Sequence, residues 1–129
     1  MYKRQRLYTG GLIGPAAAWL YCIGYYHLVL MMQPGWELFG WILLFTNSLA
    51  IIYGGAYHSH FAYYGLLRDE ASLGEAHRFV NVQKVILYTL MGAGFLGMAV
   101  CIGAGWTVLP RWMALLSPGI LFLLSLIHI

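Results

Sequence analysis

The sequence predicts an all-α protein, a transmembrane helical bundle of four spans with its N-terminus in the cytoplasm. Of its 129 residues, 61% are hydrophobic and only 9% are charged, whereas a soluble domain carries roughly a quarter charged residues. The mean hydropathy is +0.73. The apolar residues also form runs that approach or exceed the roughly 20 residues that one span needs. We therefore expect a single transmembrane domain over residues 1–129.

The first predicted span covers residues 7–32 and ends at the turn signal Gln33-Pro34-Gly35. Pro15 either kinks this helix or lies in its first turn. The part that follows Pro15 is still about 27 Å long at ~1.5 Å per residue, which nearly matches the hydrocarbon core. No small-residue cleavage site follows the apolar run, so we expect the segment to be retained rather than removed as a signal peptide.

The second predicted span covers residues 38–67, and a polar connection over residues 68–84 separates it from the third span at 85–109. Ser72 and Glu75 have the spacing of a capping box, which predicts a helix start in this connection. The first turns of that helix alternate apolar and polar residues at helical spacing. We expect them to form an amphipathic cytoplasmic piece at the membrane interface.

The fourth predicted span, residues 111–129, is interrupted by Ser117-Pro118-Gly119. If the helix restarts at Pro118, the remaining residues extend only about 18 Å, which is too short to cross the membrane. The segment is therefore either one kinked helix or a truncated span.

The distribution of basic residues predicts the orientation of the chain in the membrane. Six of the seven Lys and Arg residues fall on segments that this topology places in the cytoplasm, and only Arg111 falls on the outer side. This distribution is typical of a membrane protein and not of a nucleic-acid-binding patch. The expected location is a bacterial inner membrane, with the lipid bilayer as the partner. Four tryptophans border the outer connections and are expected to anchor them at the interface: Trp36, Trp41, Trp106 and Trp112.

The string Gly92-Ala93-Gly94-Phe95-Leu96-Gly97 matches the glycine pattern of dinucleotide-binding proteins, but it lies in the middle of a span. That pattern requires a preceding strand and a helix N-terminus aimed at a phosphate. Close helix packing is the favoured interpretation, because small residues let backbones approach inside a bilayer. A homo-oligomer formed through this glycine-rich third span is a further expectation.

Polar residues within the spans are the candidate site residues, since such groups are costly in a membrane and face a bundle interior or a cavity. His58 shares a helical face with Asn47 and is expected to be more buried than His60. His27, with Tyr26 beside it, is expected to form an outer polar cluster with Asn47. Three roles remain open for these residues: hydrogen bonding between helices, binding of a small molecule or an ion, and proton relay or catalysis.

No metal or cofactor is expected. His27 and His58 differ by roughly 20 Å in depth, and His58 and His60 point about 200° apart on a helix, so neither pair can chelate one ion. No Asp or Glu lies in the middle of a span. The sequence therefore lacks the embedded carboxylate of small multidrug exporters and an acid to orient a catalytic histidine.

The strings Gly24-Tyr25-Tyr26-His27 and Gly54-Gly55-Ala56-Tyr57-His58 resemble a family of uncharacterised bacterial multi-span membrane proteins. The resemblance covers about the first 70 residues and implies no activity. Members of that family are longer, so it implies that this chain is an N-terminal portion. The final string Ser125-Leu126-Ile127-His128-Ile129 resembles the peptide obtained when sequencing-adapter DNA is read in frame, which would also cut the fourth span.

The sequence thus predicts a small-ligand-binding or structural membrane module within a longer transporter-like or sensor-like protein. The alternative is an intramembrane enzyme that uses His27 or His58 as acid or base.

Overall fold

The fold is that of a computed structural model, which describes residues 2–64, 67 and 69–127. Its regular elements are helices: α1 (Tyr2–Gly24), α2 (His27–Leu30), α3 (Glu37–Tyr64), α4 (Glu70–Ala104), a 3₁₀ helix (Arg111–Leu116) and α5 (Pro118–Ile127). Three stretches within the described residues are long and apolar enough to cross a membrane: Thr9–Leu30, Glu37–His60 and Glu70–Ala104. The chain is therefore an all-α protein with three candidate spans.

The first span is not one regular helix over residues 7–32. α1 ends at Gly24, and a turn at Tyr25 and Tyr26 precedes the four-residue α2. The side chain of His27 bonds within this break, where its Nδ1–H donates to the carbonyl of Gly24. A regular helix would give that carbonyl to the amide of Leu28, which instead bonds to Tyr25 O at 2.9 Å.

Pro15 lies inside α1 without ending it. Because proline has no N–H, the carbonyl of Gly11 loses its helical donor. The hydroxyl of Ser59 on α3 donates to this carbonyl at 2.9 Å and also lies 3.1 Å from Gly55 O in its own helix. A neighbouring helix thus satisfies the group that the proline leaves without a partner.

α3 begins after the predicted turn and lies close to the bounds of the second predicted span. Of the predicted residues at its end, 65 and 66 lie outside the described residues. The polar connection and the third span, by contrast, are not separate. α4 runs through both as 35 residues, or about 52 Å at ~1.5 Å per residue, which exceeds the hydrocarbon core by several turns.

The ends of α4 also correct the prediction. Asp69, not Ser72, is the N-cap, since its carboxylate accepts a hydrogen bond from the Ser72 amide at 2.8 Å. Hydrogen bonds from the amide and hydroxyl of Ser72 lower the pKa of the exposed Asp69 carboxyl. At the other end Gly105 adopts a left-handed conformation, with φ of 81°. The helix therefore stops before the predicted end at residue 109.

The fourth predicted span is not a single helix. Ser117, with ψ of 150°, separates the 3₁₀ helix from α5, and the ten described residues of α5 extend about 15 Å at ~1.5 Å per residue. α5 packs closely against α4, where a Cβ on Gly119 would collide with the carbonyl of Phe95. Residues 128 and 129 of the adapter-like string lie outside the described residues.

α3 is the central helix, because it packs on both α1 and α4. Among the described residues, α1 and α4 share no extensive contact, so the two helices diverge on one side of α3. Large apolar side chains on α1 point outwards and are mostly exposed, as expected of lipid contact: Leu12, Trp19, Leu20 and Ile23.

The connections before α3 and after α4 meet at one end of the bundle, which we call the bridged end. Met32 and Thr107 form an isolated antiparallel β-bridge. The amide of Gln33 donates to Trp106 O and that of Val108 to Met31 O, both at 2.9 Å. A core of Leu28, Met32, Leu43 and Cys101 lies beneath this bridge. The opposite end, with the start of α1 and the connection between α3 and α4, is called the far end.

Two of the predicted interfacial tryptophans contact each other at the bridged end. The rings of Trp36 and Trp106 stack with centroids 4.1 Å apart and an interplanar angle of 8°, and Phe39 packs against both. Trp41 and Trp112 remain exposed. The stack joins two connections whose proximity the sequence did not reveal.

Candidate functional site

A cavity of about 310 Å³ lies between the three candidate spans, on the side where α1 and α4 diverge. We call it the central cavity. Its α1 and α3 walls consist largely of residues with small side chains: Gly14, Ala17, Ala18, Ala50, Gly54 and Gly55. Because these residues bring the two helices together without filling the space beside them, the cavity follows from the small-residue pattern itself.

Close backbone packing holds α1 against α3 along this wall. A Cβ on Gly14 would lie 3.0 Å from the Cβ of His58, and one on Gly55 would lie 3.1 Å from the Cα of Pro15. Together with the hydrogen bond from the Ser59 hydroxyl to Gly11 O, these contacts hold the two helices together on the side of the cavity that is nearer the far end of the bundle.

Asn47 lies deep in the bundle and lines the central cavity. Its side chain is only 2% exposed, and Nδ2 donates to Leu43 O at 2.8 Å. The carboxamide lies directly against α4, since a Cβ on Gly94 would be 2.6 Å from Oδ1. Asn47 therefore both joins α3 to α4 and contributes a polar group to the cavity wall.

The glycine string of α4 is confirmed as a helix-packing element. Gly94 receives Asn47, and a Cβ on Gly97 would lie 2.9 Å from Cδ2 of Leu43. Gly92 is buried as well. These glycines are used within the chain, so the expected homo-oligomer through the third span gains no support from them.

His58 lines the central cavity beside α1, but the expectation that it is the more buried histidine is wrong. His58 is exposed, whereas His60 is partly buried. His60 Nδ1 lies 2.8 Å from Ala56 O, and its ring packs edge-on against Phe79 of α4, with centroids 5.1 Å apart. The physical reason is that α4 covers the His60 side of α3, while the divergence of α1 and α4 leaves the His58 side open.

The expected cluster of His27, Tyr26 and Asn47 is not formed. His27 is exposed and bonded to Gly24, and Tyr26 is half-exposed with its ring against Trp41. Neither lines the central cavity. After the helix break neither side chain faces the central cavity, so Asn47 and His58 line one cavity and these two do not.

Several lining residues were not predicted. Tyr21 lines the cavity from α1 and Tyr25 lines it from the turn that follows, whereas Leu87, Met91 and Phe95 line it from α4. In the sequence, Gly14, Ala18, Tyr21 and Tyr25 follow helical spacing and mark one face of α1. This spacing could have predicted which residues line the cavity. However, the choice between this face and the face that carries His27 depended on the helix break.

A second groove of about 380 Å³ lies on the opposite side of the α3–α4 pair. Its lining is almost entirely apolar and includes Phe39, Ile42, Val100 and Trp106, and Cys101 at its base is buried. The central cavity differs by combining a buried amide with a histidine. Among the residues that the structure describes, no three His, Cys, Asp or Glu side chains come close enough to hold a metal ion.

Comparison with family models, with curated proteins and with solved structures finds no match for this chain. The resemblance of the Gly24–His27 and Gly54–His58 strings to a multi-span family stays a prediction. The central cavity is therefore interpreted from its own geometry.

Proposed function

We propose that this protein is a membrane-embedded module that binds a small amphipathic molecule in the central cavity. The observation that supports the proposal is the cavity itself. Its volume of about 310 Å³ lies among three candidate spans and falls within the range of roughly 300–1,000 Å³ typical of ligand sites. Its wall is mostly apolar, and its polar groups are the Asn47 amide, the His58 imidazole and the hydroxyls of Tyr21 and Tyr25, which is the usual composition of such a site.

The orientation belongs to the proposal as well. The far end carries the basic N-terminal residues and the basic residues near the start of α4. The positive-inside rule favours the cytoplasmic side for this end. In this arrangement, in a bacterial inner membrane, His58 lies near the cytoplasmic boundary and Asn47 lies deeper. Membership of a longer transporter-like or sensor-like protein stays a prediction, which sequencing of the transcript tests.

Binding is favoured over the alternative of an intramembrane enzyme. A histidine acting as acid or base is normally oriented by a partner group, often a carboxylate. The described residues that line the central cavity include no Asp or Glu. If His58→Ala abolished turnover of a bound molecule while leaving its affinity unchanged, the enzymatic alternative would replace the binding proposal.

The test uses two probes of different shape, the linear cis-parinaric acid and the compact naphthoquinone menadione, with the full chain in lipid nanodiscs. Energy transfer from the protein's tryptophans to cis-parinaric acid, and quenching of the tryptophans by menadione, report binding. Ala17→Phe fills the cavity, because Ala17 lines it, whereas Ala16→Phe is the matched control on the exposed side of the same helix.

We expect at least one probe to bind saturably to the wild type and to Ala16→Phe but not to Ala17→Phe. Equal signals from both variants, for both probes, would show partition into lipid only and would overturn the proposal. Gly54→Val is a second blocking variant, since a Cβ there meets only Cδ1 of Leu87, at 3.6 Å, and is expected to fold.

A further inference from the structure

The lining of the central cavity is elongated along the helices. It extends from Gly14 to Tyr21 on α1, continues to Tyr25 in the turn that follows, and extends from Asn47 to His58 on α3. The α3 interval of eleven residues is about 16 Å long at ~1.5 Å per residue. An extended hydrocarbon chain can lie along this length, whereas a compact ring system would occupy only part of it.

The wall suits a flexible chain rather than a rigid polar ligand. Glycine and alanine form much of the sides towards α1 and α3, together with Ile51 and the aromatic rings of Tyr21 and Tyr25. The backbone groups of these helices are largely hydrogen-bonded within the helices. Leu87, Met91 and Phe95 form the side towards α4. Methionine adapts to irregular apolar surfaces because its side chain is unbranched and flexible.

Polarity differs between the two ends of the cavity. Asn47, at the deep end, is almost fully buried and already donates to Leu43. His58, at the other end, is exposed, as expected at the mouth of the cavity. A chain that enters at His58 would therefore place its head group there and its apolar end towards Asn47.

Charge at the far end favours an anionic head group. Among the described residues, this end carries five basic residues (Lys3, Arg4, Arg6, Arg78 and Lys84) and three acidic ones (Asp69, Glu70 and Glu75). The bridged end carries only Glu37 and Arg111. An excess of positive charge attracts anions to this end of the bundle.

Resting on the function proposed above, we propose that the ligand is a free fatty acid, a single hydrocarbon chain with its carboxylate at His58 and its chain extended along α3 towards Asn47. This deepens the proposed function by naming the ligand class. It also assigns separate roles to the two polar residues: His58 contacts the head group, whereas Asn47 closes the deep end through its contact with Gly94.

The experiment measures displacement of cis-parinaric acid from the full chain in nanodiscs of neutral lipid. The competitors are laurate, its methyl ester, lysophosphatidylcholine with the same chain, and menadione. We expect laurate to displace the probe about tenfold more strongly than the methyl ester, because a hydrogen bond to a charged group contributes more than one to a neutral group. His58→Gln should reduce the affinity for laurate about tenfold and leave that for the methyl ester unchanged.

Three outcomes would overturn the inference. Equal displacement by laurate and its methyl ester would show that the cavity does not recognise an anionic head group. Stronger displacement by lysophosphatidylcholine would assign the cavity to the chain of a membrane lipid. Displacement by menadione alone would assign it to a compact ring, and the proposed function would survive. If no competitor or probe distinguishes Ala17→Phe from Ala16→Phe, the proposed function fails as well.

Discussion

The hydrogen bond from Ser59 to the carbonyl that Pro15 leaves without a helical donor supports a quantitative prediction. Gly11 is buried, and the Ser59 hydroxyl donates to its carbonyl at 2.9 Å. Ser59→Ala removes this donor from an acceptor that has no amide partner. Polar contacts between membrane helices contribute about 0.6 kcal/mol on average and up to about 1.7. A buried acceptor without a donor belongs at the upper end of this range. We therefore expect Ser59→Ala to lower the free energy of unfolding by about 1–1.5 kcal/mol.

A double-mutant cycle isolates this interaction. Pro15→Ala restores an amide that bonds to Gly11 within α1, so the carbonyl no longer needs Ser59. In the Pro15→Ala background we expect Ser59→Ala to cost almost nothing, which gives a coupling energy of about 1 kcal/mol. The second contact of Ser59, to Gly55 O at 3.1 Å, is present in both backgrounds and cancels.

The assay is reversible unfolding by SDS in mixed micelles, followed by the loss of helical circular dichroism. Ser48→Ala is the matched control, because Ser48 lies on the same helix, away from Pro15. If Ser59→Ala destabilises the wild type and the Pro15→Ala variant equally, the proposed relation between the proline and the serine is refuted.

Further predictions concern α4 and its ends. Gly94→Ala should destabilise the protein by about 1–3 kcal/mol, because its Cβ would lie 2.6 Å from Oδ1 of Asn47; the added change Asn47→Ala should recover part of the loss in the same SDS assay. Gly105→Ala should cost about 1–2 kcal/mol, because a φ of 81° disfavours any side chain. Since the pKa of Asp69 is lowered in the folded state, its contribution is present above the ordinary carboxyl value of 3.8 and is lost as the pH falls through the folded pKa. Hydrogen exchange of the Ser72 amide, corrected for its intrinsic rate, should show this loss in the wild type and no pH dependence in Asp69→Asn.

Each of these α4 predictions has its own contrary result. Full additivity of Gly94→Ala and Asn47→Ala would show that the two residues do not contact each other. An unchanged unfolding midpoint for Gly105→Ala would contradict the left-handed cap. A pH-dependent loss of Ser72 protection in Asp69→Asn would assign the titration to another group.

The apolar runs and turn signals predicted α3 closely, because both its length and its flanking Gln33-Pro34-Gly35 turn are local properties. The packing role of Gly94 was predicted for a similar reason, since small residues within a span have few other uses. Capping was harder. Asp69 and Ser72 are both good N-caps, and only the backbone conformation shows which residue precedes the first helical turn.

The candidate site was predicted in part. Asn47 and His58 do line one cavity, because their spacing on α3 places them on one face. The exposure of His58 was not predictable from α3 alone, since it depends on where α1 and α4 diverge. His27 was misinterpreted for a different reason. The helix is interrupted at Tyr25 and Tyr26, just before His27, and this removes the periodicity on which the placement of His27 rested.

The bridge between Met32 and Thr107 bears on how the chain is assembled during synthesis. The α1–α3 contacts of Gly11 with Ser59, of Gly14 with His58 and of Pro15 with Gly55 all precede α4 in the sequence and can form before α4 has left the ribosome. The bridge, in contrast, joins residues 75 positions apart in the sequence, and it cannot close until α4 has been inserted. Because domains fold from the N-terminal side as they emerge, the far end of the bundle is set first and the bridged end last.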